Sequence, residues 1–397
     1  MPKAYHDSLS LVLSLVEIKE QRHALADLQG DEAKHMVEFL DKMLRREQAV
    51  RDSPFVKKHV LHTLASLARS ALVFPENLKL SDLGNKLTEA LHSEGRFGNV
   101  YKKNYKGREA SIKVTRDVKP GNGIQGILRI NAKEAVLRAY MSHPNILPLY
   151  GVHVTEGAGE KSGARKIWIV SPWMQNGDLL GYSQKHPERA FYLMSDVISG
   201  LNYLHKLEIV HGDLRATNVL VSGAGRAILA NFEVSRVSMP DPTMSDTAVG
   251  EMWWMALELL NDKAIPTRAS DIWAFACTCY EVMTGQTPFR HQGMTQASLM
   301  SALDKPDSAI PTRPTLRSRE EEQLWANLLV RCWKHAPRGR PDTDAIIRYF
   351  SKWKSADNTA ELDEDSARLW QVNRPESRAN VDYELVYRVL LRVNGAV

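Results

Sequence analysis

The stretch that decides the fold is Ile209-Val210-His211-Gly212-Asp213-Leu214-Arg215-Ala216-Thr217-Asn218-Val219-Leu220-Val221. Apolar residues suited to strands stand on both sides of a polar centre. Within that centre, His211, Asp213 and Asn218 follow one another in a fixed order. An Asp and an Asn at this spacing often occur together by chance, so the stretch gains meaning only from further motifs on both sides.

Upstream lies a glycine-rich turn, Ser93-Glu94-Gly95-Arg96-Phe97-Gly98-Asn99-Val100-Tyr101, between two short predicted strands. Glycine lets backbone amides approach phosphate oxygens with no Cβ in the way. The next predicted strand, Ala110-Ser111-Ile112-Lys113-Val114, carries one lysine among apolar neighbours. A lysine on a buried strand needs an anionic partner, which is either a nucleotide phosphate or Glu134 on a helix predicted over 130–141.

Five further motifs follow one another along the chain, upstream and downstream of the 209–221 stretch. They are His143-Pro144-Asn145-Ile146-Leu147-Pro148-Leu149-Tyr150-Gly151, Trp168-Ile169-Val170-Ser171-Pro172-Trp173-Met174, Asn231-Phe232-Glu233, Trp254-Met255-Ala256-Leu257-Glu258 and Ser270-Asp271-Ile272-Trp273-Ala274-Phe275, with Arg340-Pro341 after them. The occurrence of so many motifs in one order is very improbable by chance.

From about 91 to 353 the chain resembles a protein kinase, and its phrasing is similar to the tyrosine-kinase-like branch and to kinases expanded in mushroom-forming fungi. The resemblance implies an α+β, bilobal fold with a β-rich N-lobe and a helical C-lobe, preceded here by an N-terminal helical bundle. It also implies a buried ion pair between Glu258 and Arg340, and bonds from Asp271 to backbone amides of the 209–221 stretch.

The resemblance gives each matched residue a role. Asp213 would accept the proton of an attacking hydroxyl, and Lys113, Glu134 and Arg215 would complete the catalytic set. ATP would be bound by Gly95, Gly98, Val100, Ser111, Lys113, Ser171, Trp173, Met174 and Leu220. A metal ion would be held by Asn218 and Asn231.

Several positions depart from the family pattern, namely Ser93, Arg138, Asn231, Glu233 and Leu257, and Gly212 replaces the family's Arg. Asn231 replaces the aspartate that normally holds Mg²⁺ on the phosphates, and losing one such charge costs roughly 10²–10³ in rate. Glu233 replaces a glycine and is a candidate substitute ligand. Arg138 replaces an apolar residue, which favours either a loosened helix or a local partner charge.

Two functions remain open on these residues. The departures predict a pseudokinase, a scaffold or regulator in signalling that still binds ATP but holds Mg²⁺ weakly or not at all. The alternative is a weakly active ATP-dependent Ser/Thr or Tyr protein kinase that uses Asp213 as its base. That alternative depends on the retention of Lys113, Glu134 and Asn218.

The flanking segments predict two further regions besides the kinase-like domain at 86–353. Residues 1–85 predict a bundle of three amphipathic helices, with one helix over 9–28, Asp31 capping the second and Ser53-Pro54 beginning the third. Residues 354–397 predict an acidic linker and a C-terminal helix near 381–393 that docks on a lobe or binds a partner. We expect protein partners to bind through the bundle or through this last helix.

Composition narrows the cellular role. The net charge is only +5, and no basic run with interleaved aromatic residues appears, so we expect no nucleic-acid partner. The longest apolar runs fall far short of the roughly 20 residues that a membrane helix needs. The three cysteines, Cys277, Cys279 and Cys332, lack zinc-type spacing and suit reduced thiols in a cytoplasmic protein.

Overall fold

The computed structural model describes residues 3–84, 87, 89–94, 98–115, 123–155, 166–238, 251–260, 264–290, 293, 295, 298, 310–353 and 379–395. The chain divides into two compact units. The first unit comprises residues 1–142, 148–173 and 363–397, and the second comprises residues 143–147 and 174–362. Within the described ranges no helix combines the length and the apolar character needed to cross a membrane.

Five helices open the first unit: α1 (Lys3–Leu15), α2 (Lys19–Ala26), α3 (Gly30–Arg46), α4 (Gln48–Asp52) and α5 (Pro54–Ala71). The start of α5 confirms the predicted signal, because the Ser53 side chain accepts the Val56 N–H at 3.3 Å and Pro54 takes the first helical position. The apolar stripes of α3 and α5 are buried, and the two helices contact each other.

Two predictions about these helices are wrong. The predicted helix over 9–28 is interrupted, because Ile18 is extended and the Arg22 guanidinium donates to the Val16 carbonyl at 2.8 Å. That bond satisfies a carbonyl freed by the interruption. Asp31 does not cap α3, since the N-cap is Gln29 without a side-chain bond. Asp31 lies instead in the first turn, where its negative charge interacts favourably with the positive end of the helix dipole.

A five-stranded antiparallel sheet follows in the order β1-β2-β3-β5-β4. The strands are β1 (Leu91–Glu94), β2 (Gly98–Tyr105), β3 (Arg108–Thr115), β4 (Gly151–Thr155) and β5 (Lys166–Pro172). One face carries an apolar cluster that includes Ile112, Tyr150 and Val170. Helix α6 (Gly123–Ala139) begins earlier than the predicted helix and contacts α5, so the N-terminal helices support it directly.

The second unit is mostly helical. It contains α7 (Leu179–Lys185), α8 (Ala190–Lys206), α9 (Arg268–Thr284), α10 (Arg319–Leu324) and α11 (Thr343–Tyr349), with a π-helical turn (Trp325–Leu329) and a short helix (Val330–Cys332) after α10. Two small antiparallel pairs join β6 (Ile209–Val210) to β9 (Arg236–Val237), and β7 (Val219–Val221) to β8 (Ala227–Leu229). These pairs frame the 209–221 stretch.

Buried polar contacts hold this unit together as the resemblance implied. Arg340 donates to both carboxylate oxygens of Glu258 at 2.6 and 2.7 Å, which confirms the predicted ion pair.

Cys277 and Cys279 lie on α9, and Cys332 lies beyond α10. All three are buried free thiols, and burial raises the pKa of each.

The last described segment is helix α12 (Tyr383–Gly395), which belongs to the first unit. It contacts α1 and α3 through a buried stripe of Val386, Val389, Leu390 and Val393. Tyr383 lies edge-on to Tyr5, with ring centroids 5.2 Å apart, and Arg392 forms a bidentate pair with Glu32 at 2.6 and 2.9 Å. The helix therefore docks on the N-terminal helices. The acidic part of the predicted linker lies outside the described residues.

Candidate functional site

The first unit forms an ion pair between a strand and a helix. Lys113 lies on β3 opposite Ile169 of β5, and its Nζ is 2.7 Å from Glu134 Oε2 on α6. The Glu134 side chain is 1% exposed and that of Lys113 is 18% exposed. Of the two anionic partners that the sequence offered to Lys113, the structure brings Glu134 into contact.

Arg138 joins the same group one helical turn later. Its guanidinium donates to Glu134 Oε1 at 3.3 Å, to the Pro148 carbonyl at 2.9 Å and to Ser171 Oγ at 2.6 Å. Burial would raise the pKa of Glu134, but the two cations Lys113 and Arg138 outweigh it and lower that pKa. The departure at Arg138 therefore does not loosen the helix; the residue ties α6 to β5 through a local partner charge.

The predicted ATP-binding residues of the sheet occupy neighbouring register positions. Val100 of β2 pairs with Lys113 of β3, and Ser111 of β3 pairs with Ser171 of β5. At Gly98, a Cβ would lie 2.7 Å from the Val114 carbonyl oxygen, so only glycine lets the two strands approach this closely.

Trp173 is the last of the predicted ATP-binding residues that belong to the first unit. Its backbone N–H donates to the Glu109 carbonyl at 3.1 Å, which extends the ladder beyond β5. Its ring lies beneath Lys102 Nζ, at 5.1 Å from the centroid, and contacts the His92 ring. Gly95, also predicted to bind ATP, lies outside the described residues.

In the second unit, Asp271 shapes the polar loop. Its carboxylate accepts the backbone N–H groups of His211 and Gly212 at 2.9 Å each, as predicted, and also contacts His205 Nε2 at 2.9 Å. Gly212 has a φ of +80°, a conformation that an L side chain rarely adopts. The Arg that the family pattern places there would be strained in this conformation. The local backbone geometry therefore accounts for a glycine at position 212.

Three polar side chains form a chain of hydrogen bonds in this loop. Asn218 Nδ2 donates to Asp213 Oδ2 at 2.8 Å and to the Asp213 carbonyl at 2.7 Å. Asn231 Nδ2 in turn donates to Asn218 Oδ1 at 3.1 Å. Asp213 Oδ1 is buried and finds no hydrogen-bond partner among the described residues. The structure thus brings the predicted base together with both predicted metal ligands.

Arg215 points away from that chain of bonds. It pairs with Glu251 at 3.0 Å and lies over the Trp254 ring, 5.5 Å from its centroid. These contacts fit a residue that positions the segment around 251–254. Met174 and Leu220, which were predicted to bind ATP, share an apolar cluster with Leu147, Ile228 and Ala230.

Sequence reasoning missed Glu281, which connects the loop to α9. One of its carboxylate oxygens, Oε2, accepts the Ala216 N–H and the Trp254 indole N–H at 2.8 Å each. Burial raises the pKa of Glu281 to about 7, although both hydrogen bonds and Arg215 oppose the rise. The signal was the acid Glu281 within residues 272–283 of α9, a buried run that is otherwise apolar apart from Thr278.

The donor set does not fit Mg²⁺. Mg²⁺ prefers hard, anionic oxygen ligands in octahedral geometry. The two residues predicted to hold it are neutral amides, and the oxygen that Asn218 would offer already accepts a bond from Asn231. Within the described ranges there is also no group of three His, Cys, Asp or Glu side chains that could hold a metal ion.

With this geometry in view, comparison with known proteins identifies the family. The family model described as protein tyrosine and serine/threonine kinase matches residues 86–350, which is well over half of the chain. The chain belongs to the protein kinase family. The predicted fold class is therefore confirmed, with a sheet-based N-lobe, a helical C-lobe and additional N-terminal helices.

Relatives of this kinase domain are of the tyrosine-kinase-like type. The serine/threonine-protein kinase STY46 of Arabidopsis thaliana is 28% identical over 285 residues, which cover 70% of this chain and 45% of that protein. The serine/threonine/tyrosine-protein kinase HT1 of the same plant is 29% identical over 281 residues, covering 68% and 66%. Mitogen-activated protein kinase kinase kinase 10 of Mus musculus is 26% identical over 296 residues, covering 72% and 29%. The chain thus spans less than half of STY46.

Proposed function

We propose that this protein is a pseudokinase, a kinase-fold signalling protein that binds ATP but transfers phosphate poorly or not at all. The observation that carries the proposal is the hydrogen bond from Asn231 to Asn218, where the family pattern requires a carboxylate and a metal ion. Phosphoryl transfer depends on neutralising the charge that develops on the phosphate oxygens, and a neutral amide pair cannot recruit the cation that does so.

Retained nucleotide binding is supported by the first unit. The Lys113–Glu134 pair is formed and reinforced by Arg138, so the lysine is held in a defined position. Burying an ion pair costs desolvation free energy unless further bonds compensate it. A pair that only supported the fold would therefore contribute little to stability. The roles of the predicted ATP-binding residues follow from this proposal.

The proposal is tested by transfer of labelled phosphate from ATP. Wild type and an Asp213→Asn variant are incubated with labelled ATP, Mg²⁺ and generic Ser, Thr and Tyr substrates. A pseudokinase gives the same background signal in both proteins. A wild-type signal that disappears in the variant contradicts the proposal.

A weakly active kinase is the second candidate, and one atom favours it. Asp213 Oδ1 is buried without a partner in the described part of the chain, which suits a base waiting for a hydroxyl proton. In that reaction the substrate hydroxyl oxygen attacks the γ-phosphorus of ATP, ADP leaves, and the hydroxyl proton passes to Asp213. The Asp213→Asn comparison distinguishes this candidate directly.

We further propose that partner proteins bind the N-terminal helices or α12. These elements are joined by the Tyr5–Tyr383 and Glu32–Arg392 contacts. Because α5 contacts α6, the helix that carries Glu134, a partner bound to these elements would be linked to α6 through α5. A cytoplasmic location fits the three buried, protonated thiols. The similarity to kinases of mushroom-forming fungi stays a prediction, because the relatives named above come from a plant and a mammal.

A further inference from the structure

The amide of Asn231 donates a hydrogen bond from an unusual backbone conformation. Asn231 has a φ of +59°, a left-handed conformation that Asn and Asp tolerate better than other side chains. From this position its Nδ2–H points its positive end at Asn218 Oδ1, 3.1 Å away. The second amide then points its own N–H groups at Asp213, so partial charges alternate along the whole chain of bonds.

An aspartate at position 231 would reverse the first contact. A carboxylate has no proton to donate, so its negatively charged oxygen would stand about 3 Å from the partly negative Asn218 Oδ1 and would be repelled by it. Only a bound cation or a displaced side chain would relieve that repulsion. The asparagine needs neither, because its own N–H supplies the attraction.

We propose that the Asn231 amide is a built-in replacement for the divalent cation. The hydrogen bonds that join Asp213, Asn218 and Asn231 therefore form without a metal ion, and a nucleotide phosphate binds this protein equally well with and without Mg²⁺. The second part rests on the proposed ATP binding, whereas the first part concerns the ligand-free protein alone.

The first part is tested by thermal unfolding of the full chain in EDTA and in Mg²⁺. Wild type should melt at the same temperature in both buffers. The Asn231→Asp variant should melt about 2–4 °C lower in EDTA, the shift expected for a loss of one favourable contact in a domain of this size, and should regain stability in Mg²⁺. A wild type stabilised by Mg²⁺ alone, or a variant as stable as wild type in EDTA, overturns the proposal.

Asn104→Asp is the matched control. Asn104 is exposed near the end of β2, where its Oδ1 accepts the Gly107 N–H at 3.0 Å, a bond that a carboxylate also accepts. The control makes the same chemical change in the other unit and should respond to neither buffer. A Mg²⁺ response of the control equal to that of Asn231→Asp would mean non-specific binding and would contradict the assignment to these three residues.

The second part is tested on wild type by calorimetric titration with ATP, so it does not depend on whether any variant folds. We expect dissociation constants in EDTA and in Mg²⁺ to agree within about threefold, which is less than 1 kcal/mol. Affinity at least about tenfold higher in Mg²⁺ overturns the proposal, and loss of that gain in a Glu233→Ala variant would make Glu233 the ligand instead. If ATP binds in neither buffer, the proposed ATP binding fails, and so does the metal-independent binding that rests on it. The melting comparison then still decides the role of Asn231.

Discussion

The Tyr140 hydroxyl, immediately after α6, donates to Asp41 Oδ1 on α3 at 2.6 Å. The other oxygen of Asp41 accepts the Asn77 side-chain amide at 2.7 Å. Asp41 is 2% exposed, so its carboxylate is largely shielded from water. Together with the contact between α5 and α6, they attach the helix that carries Glu134 to the N-terminal helices. The additional helices of this chain thus brace a helix of the kinase domain itself.

A Tyr140→Phe variant tests this brace. Loss of one buried hydrogen bond to a charged group should lower the free energy of unfolding by about 1–3 kcal/mol. Amide hydrogen exchange in α6 should become faster, because its end is no longer held. Tyr192→Phe, at an exposed position on α8, is the control and should change neither quantity. Unchanged exchange in α6 of Tyr140→Phe would show that the contact does not hold the helix.

Arg138 should be more important for stability than its partner Ser171. In Arg138→Met, the buried Glu134 loses one of its two cationic partners and keeps Lys113, and the Pro148 carbonyl loses the Arg138 donor. The lost charged hydrogen bond and the buried carbonyl left without its donor each cost about 1–3 kcal/mol, whereas Ser171→Ala removes one hydrogen bond and costs about 1 kcal/mol. Urea unfolding measures both, and equal losses would contradict the role given to Arg138.

Glu281 should make stability depend on pH. Burial raises its pKa to about 7 in the folded protein from 4.5 in a free side chain. The folded state therefore favours the protonated form, so the stabilising contribution is complete below about pH 4.5 and is lost as pH rises through about 7. The full linkage amounts to at most about 3 kcal/mol.

The matching variant is Glu281→Gln, which imitates the protonated form and can still accept the bonds from Ala216 and Trp254. Its stability advantage over wild type should grow between about pH 5 and pH 7 and then level off. The other charges that act on Glu281, Arg215 and Asp178, remain in both proteins. A difference that stays constant over this range would show that Glu281 is ionised throughout.

The docking of α12 is tested by two adjacent leucines. Leu390 is fully buried, whereas Leu391 is 46% exposed. Leu390→Asp should destabilise the first unit by about 3–5 kcal/mol, because it buries an unpaired charge among apolar side chains. Leu391→Asp makes the same chemical change on the solvent side and should stay within about 0.5 kcal/mol of wild type. Similar melting temperatures for the two variants would mean that α12 is not docked in solution.

The local chemistry of the kinase motifs was predictable from the sequence. The pair of Lys113 with Glu134, the bonds from Asp271 to the loop and the ion pair of Glu258 with Arg340 each join residue types that need one another when buried. Motif order gave their positions, and burial made the contacts obligatory.

Tertiary choices were not predictable in the same way. The interruption near Ile18 depends on Arg22 reaching the Val16 carbonyl, a contact that apolar periodicity does not encode. The amphipathic stripe of α12 showed that the helix would be buried, but many surfaces could bury it. Arg138 left two alternatives open, because only its contacts with Glu134 and Ser171 show that its charge is used.

The pseudokinase proposal rests on Asn231, which replaces the metal-holding aspartate of the family pattern, next to Glu233, which replaces a glycine. The most direct measurement is the rate of phosphate transfer from ATP in Mg²⁺ by wild type and by the double variant Asn231→Asp, Glu233→Gly, with Asp213→Asn as background. Wild type should match the background, and the double variant should exceed it by roughly 10²-fold, the usual value of one such electrostatic group. A wild type that already transfers phosphate as fast as the double variant would contradict the account.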